Sequence, residues 1–135
     1  MTSAFARRFR LLSLLRGSLI AGAVYDVAFG LLMVVSPETP ARILNLPLPP
    51  PEGSFYLWIM ATLLTMLAAL YLAAAYDPRR YSAIIAVAIG GRLLGALVLL
   101  TAGLRGPDLA GLYPLAAADF AFGAVHATAW LPIRS

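Results

Sequence analysis

Four long apolar stretches, at about residues 17–35, 54–76, 81–104 and 109–131, dominate this 135-residue chain. Each is about as long as the roughly 20 residues a helix needs to cross a hydrocarbon core. Hydrophobic residues make up 61% of the sequence and the mean hydropathy is +0.86, whereas ordinary globular domains are about 45–50% apolar. The excess points to lipid rather than to a large soluble core. The expected fold is an all-α membrane protein, four transmembrane helices in one antiparallel bundle over residues 1–135.

The breaks between stretches carry turn chemistry. Ser36-Pro37 ends the first, and an outer proline-rich loop over 36–53 leads to the second. Within it, Pro40 through Leu46 is predicted as a short interfacial helix, and Leu46-Pro47-Leu48-Pro49-Pro50-Pro51 as extended chain. The loop reads as a stiff strap between two helices, or as a lid over an outward pocket. Asp77-Pro78 reads as an N-cap followed by proline at the first helical position. Gly106-Pro107-Asp108 separates the last two spans.

Charge placement orients the bundle. All ten basic residues are arginine. Seven of them (Arg7, Arg8, Arg10, Arg16, Arg79, Arg80 and Arg134) fall on one expected side, against Arg42 and Arg105 on the other. This positive-inside bias predicts both termini in the cytoplasm. The net charge of +4 lies largely in ends and loops, so it reads as topology and not as nucleic-acid binding. Residues 1–16 form a basic amphipathic lead-in; Phe5, Phe9, Leu11 and Leu12 are able to rest in the headgroup layer, and the simpler reading is a topology-setting tail with no other role. Ala21-Gly22-Ala23 resembles a signal-peptide cleavage site, but the apolar run continues past it and carries Asp26, which favours a retained span. The chain has no cysteine, which removes disulfides, thiolate chemistry and cysteine-based metal sites.

Three ionisable residues, Asp26, Arg92 and Asp119, sit near the middle of three different apolar stretches. A charge at the bilayer centre costs roughly 3 kcal/mol, so such residues face a partner or a cavity. At 1.5 Å per residue, all three lie about 14–18 Å from the same side. A guanidinium can bridge two carboxylates with its forked donors, so an Asp26–Arg92–Asp119 network is expected. Small neighbours place each charge near a packing seam: Gly22 and Gly30 share a face with Asp26, Gly123 and His126 share one with Asp119, and Gly91 and Gly95 flank Arg92. Thr62 and Thr65 are candidate hydroxyl partners in the same interior, and Trp58 a belt residue at the outer interface. Tyr25 points to a different face from Asp26, and Tyr25, Tyr71 and Tyr76 read as interfacial belt residues.

His126 is the lone histidine. It reads as a hydrogen-bonded packing residue, with a proton relay as the alternative; one histidine cannot make a metal site. Asp26-Val27-Ala28-Phe29-Gly30 and Asp119-Phe120-Ala121-Phe122-Gly123 share the pattern Asp-x-Ala-Phe-Gly. The match is open to two readings, an inverted repeat of two-helix halves as in transporters or coincidence.

Arg16-Gly17 opening the first span, Gly30-Leu31-Leu32 before a proline, and Gly91-Arg92-Leu93-Leu94-Gly95 in the third resemble the small four-helix bacterial proteins of the DoxX-like type. That resemblance covers most of the chain in layout. It implies a bacterial inner-membrane bundle, in some members a subunit linked to quinone-dependent oxidoreduction, and it assigns no catalytic residue. Asp26 is placed like the essential acid of small multidrug transporters, without their wider signature around it.

Three functions remain open. The first is binding of a small hydrophobic or amphiphilic molecule, with quinone the candidate cofactor, Arg92 holding its carbonyl or phosphate and the two aspartates positioning it. The second is a non-catalytic subunit of a homo-oligomer or larger membrane complex, with the charges fixing helix register. The third is a small proton-coupled transporter. Charges that nearly satisfy one another disfavour a free catalytic acid, so the reading leans away from an enzyme.

Overall fold

The computed structural model of the chain describes residues 3–48 and 50–134. It is all-helical, 86% helix, with no strand among the described residues. Helix α1 runs over Ser3–Val35, α2 over Glu38–Ile43, α3 over Ser54–Tyr76, α4 over Ser82–Arg105 and α5 over Tyr113–Trp130. Two 3-10 turns, Pro51–Gly53 and Pro107–Leu112, lead into α3 and α5. The four long helices are each long and apolar enough to cross a membrane.

The first helix differs from expectation. Residues 1–16 were expected as a separate lead-in, yet α1 is continuous from Ser3 and 33 residues long. Nothing in Arg7 through Arg16 breaks a helix: these are good helix formers, and the first proline after them is Pro37. At 1.5 Å per residue α1 is about 50 Å long, well beyond the hydrocarbon thickness. Phe5 and Phe9 are exposed, while Leu15 and Leu19 are already fully buried in the bundle.

The turns differ in detail. Asp77 does not cap α4; it closes α3, and its Oδ1 accepts the Arg80 N–H at 3.2 Å. The Tyr81 N–H in turn reaches the Asp77 carbonyl at 3.1 Å. Residues 78–81 thus make their own turn, and α4 starts at Ser82. Likewise the segment after Pro107 is first a 3-10 turn, so α5 starts at Tyr113 and not near residue 109.

The connection between α1 and α3 follows from its residues. In α2 the Asn45 N–H donates to the Arg42 carbonyl at 3.3 Å and the Leu46 N–H to the Ala41 carbonyl at 2.8 Å. This pair of bonds, with Asn45 at φ 50°, is a Schellman ending, and asparagine tolerates the left-handed position it needs. The turn presses the Leu44 carbonyl against Gly111: a Cβ there would overlap that oxygen. The loop therefore straps onto the turn before α5. Beneath it a small apolar cavity of about 190 Å³ lies between Phe29, Met33, Pro40, Leu44, Leu46 and Leu57. Pro50 is extended; Pro49 of the expected proline run lies outside the described residues.

Helix α1 packs mainly along α3 and α4 along α5, making two helical hairpins; α1 meets α5 less extensively, and α3 meets α4 least. The core is built on small residues. Ala23, Ala68, Ala74, Ala75, Ala88 and Ala129 are buried around Leu15, Leu19, Tyr71 and Ile85. Where lipid tails are as apolar as leucine, close backbone approach rather than hydrophobic burial drives helix association. Gly30 of α1 makes such an approach, its Cβ position lying 3.3 Å from the Ala61 Cα.

Candidate functional site

Arg92 stands about three turns into α4 and is buried, aimed into the seam where the two hairpins meet. Its Nη2 donates to Asp26 Oδ1 at 2.7 Å and its Nη1 to Asp119 Oδ1 at 2.6 Å. Nη2 also points to the Gly22 carbonyl at 3.5 Å, at the edge of hydrogen-bond reach. One guanidinium therefore joins α1, α4 and α5. Asp26 is fully buried, and the Asp119 side chain keeps 17% exposure.

Glycines make the room. A Cβ on Gly95 would lie 2.8 Å from Asp119 Oδ2, and one on Gly123 would lie 3.3 Å from the Arg92 Cβ. Gly22 is less critical, with the nearest atom, Arg92 Nη2, at 3.5 Å. Gly91 was expected beside the same seam, but it is exposed with nothing within 4 Å of its Cβ position.

Three rings complete the enclosure. The Arg92 guanidinium carbon lies 5.6 Å from the Tyr25 ring, 5.3 Å from Tyr71 and 5.2 Å from Phe122. Each is within cation–π range, an attraction that grows when the cation is desolvated. Tyr25 also stacks on Phe29 and packs against Phe122. The belt reading is thus corrected for Tyr71, which is 3% exposed, and for Tyr25, whose ring turns back onto Arg92; Tyr76 and Trp58 are exposed. The sequence does carry a signal for Tyr71. It shares a helical face with Ala68 and Ala75, three before it and four after it, and all three are buried in the core.

The structure places the remaining candidates as follows. His126 is fully buried, its ring 6.1 Å from both Tyr71 and Phe122, and neither ring nitrogen has a hydrogen-bond partner. It lies behind the aromatic layer and outside the ion pairs. Thr62 and Thr65 do not join the interior. Both are exposed, and their hydroxyls donate to the Trp58 and Ala61 carbonyls one turn back, each at 2.8 Å. That internal bond satisfies a hydroxyl on a lipid-facing helix without any neighbour.

Chemically, the cluster is closed. Two of the guanidinium's donors are committed to carboxylates, and rings cover it. One cation faces two acids, so with both ionised the triad carries one negative charge in excess. Asp26 Oδ2 and Arg92 Nε are buried without partners. Neither the cavity beside Arg79, that under the α1–α3 connection, that beside Arg16 nor the groove between α1 and α5 is lined by Asp26, Arg92 or Asp119. The groove, of about 520 Å³, has Phe122 among its lining residues. Among the described residues no group of three metal-ligating side chains comes together.

The Asp-x-Ala-Phe-Gly pair is better explained without duplication. A repeat of two-helix halves would equate α1 with α4, whereas the motif lies on α1 and α5. Its glycines also do different work, Gly30 meeting Ala61 and Gly123 meeting Leu93 and Arg92. Comparison with protein-family models, with curated proteins and with solved structures returned no match.

Proposed function

We propose that this chain is a bacterial inner-membrane protein that binds a quinone or lipid in the groove between α1 and α5, with the Arg92 cluster as the polar tie behind it. The groove carries the reading. Gly17, Ser18, Ala21, Ala118, Ala121 and Phe122 are among the residues that line it. A volume of about 520 Å³ lies within the range of ligand pockets, which are mostly apolar with few polar groups. Here Arg92 holds Phe122 in place and does not grip the ligand itself.

The membrane arrangement belongs to the same proposal: an antiparallel bundle with both termini cytoplasmic, in the manner of DoxX-like proteins. Its support is the arginine asymmetry together with one cavity lined by Arg8, Arg79 and Arg134, from the N-terminal helix, the α3–α4 turn and the C-terminus.

One observation favours a second reading. Gly17 and Ala21 are exposed at i and i+4 on α1, the small-residue spacing that lets a partner helix approach. A non-catalytic subunit docked there would occupy the same groove. Native mass spectrometry of the protein released gently from its membranes separates the two. A small-molecule adduct is expected on the wild type and absent from Gly17→Leu, which fills open space (nothing lies within 4 Å of the Gly17 Cβ position). An adduct that survives Gly17→Leu, or a stoichiometric protein partner lost in its place, would overturn the ligand reading.

A further inference from the structure

The interior cluster holds two acids and one cation, so its charges do not balance when both acids are ionised. Among the described residues, Arg92 is the one cation paired with either acid, at 2.7 Å to Asp26 and 2.6 Å to Asp119. Every long helix brings a titratable or charged group to this space. Helix α1 brings Asp26 and Tyr25, α3 brings Tyr71, α4 brings Arg92, and α5 brings Asp119, with His126 behind the rings. The tyrosines carry no positive charge. His126 is fully buried and neither ring nitrogen has a hydrogen-bond partner, so an imidazolium there would strand buried donors. Nothing else in the cluster offsets the second carboxylate.

The surroundings make that imbalance costly. The cluster is enclosed by the rings of Tyr25, Tyr71 and Phe122, on helices long and apolar enough to cross a membrane. A buried charge without compensation neutralises instead of staying ionised, and a second carboxylate at one site does not ionise readily beside the first. Hydrogen bonding leaves the same remainder: Asp26 Oδ2 and Arg92 Nε are buried without partners. The missing positive charge has two sources, a metal cation or a proton. Hard cations take about six or more oxygen ligands, whereas among the described residues no group of three metal-ligating side chains comes together. A proton needs only a carboxylate oxygen. Asp26 is sealed at 0% exposure while the Asp119 side chain keeps 17%, so Asp119 is the carboxylate through which the cluster is reached.

We infer that the Asp26–Arg92–Asp119 cluster is a proton-binding site, in which the two carboxylates together hold one proton at neutral pH, taken from water through Asp119. The proton belongs to the pair and not to either residue alone, and with it the triad is neutral. The number of protons held is then the number of acids less the number of cations. It is one in the wild type, none in Asp119→Asn or Asp26→Asn, and two in Arg92→Gln. The site is separate from the α1–α5 groove and stands whether or not that groove holds a ligand.

Infrared spectroscopy of the full-length protein tests this, in bilayers of ether-linked phosphatidylcholine, which carry no ester carbonyl. The carbonyl stretch of a protonated carboxylic acid stands apart from carboxylate and amide bands and moves on exchange into D2O. The wild type at neutral pH is expected to show this band. Asp119→Asn and Asp26→Asn are each expected to abolish it, and Arg92→Gln to double it, in variants that keep a cooperative thermal transition. Glu52→Gln with Asp108→Asn, both exposed, is expected to leave it unchanged. If the cluster variants do not fold, carbon-13 labelling of aspartate in the wild type is expected to shift the band, and an unshifted band would assign it elsewhere. A wild type without the band, a band that persists in both asparagine variants, or one no larger in Arg92→Gln would each overturn the assignment. So would a band that appears only when sodium and potassium are replaced by a large organic cation, since an alkali ion would then balance the charge.

Discussion

Replacing Arg92 by glutamine is the most informative single change in this protein. It removes two charge-assisted hydrogen bonds, at 2.6 and 2.7 Å, and leaves two carboxylates facing each other in a space where Asp26 is fully buried. Removing one partner of a buried ion pair costs about 3–5 kcal/mol, because the other charge remains without compensation. Three ring contacts at 5.2–5.6 Å go with it, each worth about 0.5–2 kcal/mol. Membrane references soften such numbers, since polar groups in the unfolded chain also find partners in the bilayer. A loss of about 3–5 kcal/mol is therefore expected for Arg92→Gln, not the sum of all five interactions.

The aspartates should behave differently. One cation against two acids leaves one carboxylate in excess, so Asp119→Asn keeps the Asp26 pair and removes the surplus charge. Its expected cost is about 1 kcal/mol, that of an ordinary hydrogen bond. Replacing all three residues by leucine leaves no charge unpaired, and such replacements are often neutral or stabilising. The assay is reversible unfolding in mild detergent, followed by tryptophan emission, with Arg92→Gln, Asp119→Asn and the triple leucine variant compared under one condition. The reasoning fails if Asp119→Asn destabilises as much as Arg92→Gln, or if the triple variant is worse than Arg92→Gln alone.

Two further changes probe the glycines. Gly95→Ala puts a methyl 2.8 Å from Asp119 Oδ2, so it is expected to dislodge that carboxylate and cost about 1–3 kcal/mol, while Gly91→Ala, into open space, is expected to be neutral or slightly stabilising; the same unfolding assay reads both, and equal effects would refute the packing argument. Gly111→Ala would drive its methyl into the Leu44 carbonyl oxygen, so the strap must lift; limited proteolysis is expected to cut near residues 44–48 many times faster than in wild type, and an unchanged cleavage rate would show that the contact is dispensable.

How far such a site can be read from sequence depends on the kind of signal each residue carries. Asp26, Arg92 and Asp119 are legible because charge is rare in apolar helices, and helix rise alone puts them at one depth. Hydroxyls carry no such information: Thr62 and Thr65 can satisfy themselves within α3, so their spacing says nothing about which way they face. Tyrosine is ambiguous for a related reason. Its amphipathic ring suits an interface, and only the alanine face it shares reveals that Tyr71 turns inward. The ends of α3 and α4 were legible to within a turn, but the start of α1 was not, because its arginine-rich first turns continue the helix with nothing to mark a boundary. Asp77-Pro78 has the composition of an N-cap, yet the chain spends four residues reversing direction before α4 can begin. The Gly111 contact was not legible at all, because it joins the α1–α3 connection to a turn more than 60 residues away through a backbone oxygen.

The distribution of contacts explains why a charge cluster is kept at the centre of so small a bundle. Each hairpin packs well within itself, but α3 and α4 touch little, and between helices in lipid no hydrophobic force supplies the missing attraction. Directional ties take its place at two heights. At one end the Leu44 carbonyl seats on Gly111. At mid-height Arg92 reaches from the second hairpin to Asp26 on the first. Of these, the Arg92 tie alone spans the hairpins through the bundle interior, and the groove between α1 and α5 is bounded by Phe122, a ring that rests on that same guanidinium. Loosening the tie should therefore open the groove before it unfolds either hairpin, which makes the stability of the cluster and the occupancy of the groove two readouts of one arrangement.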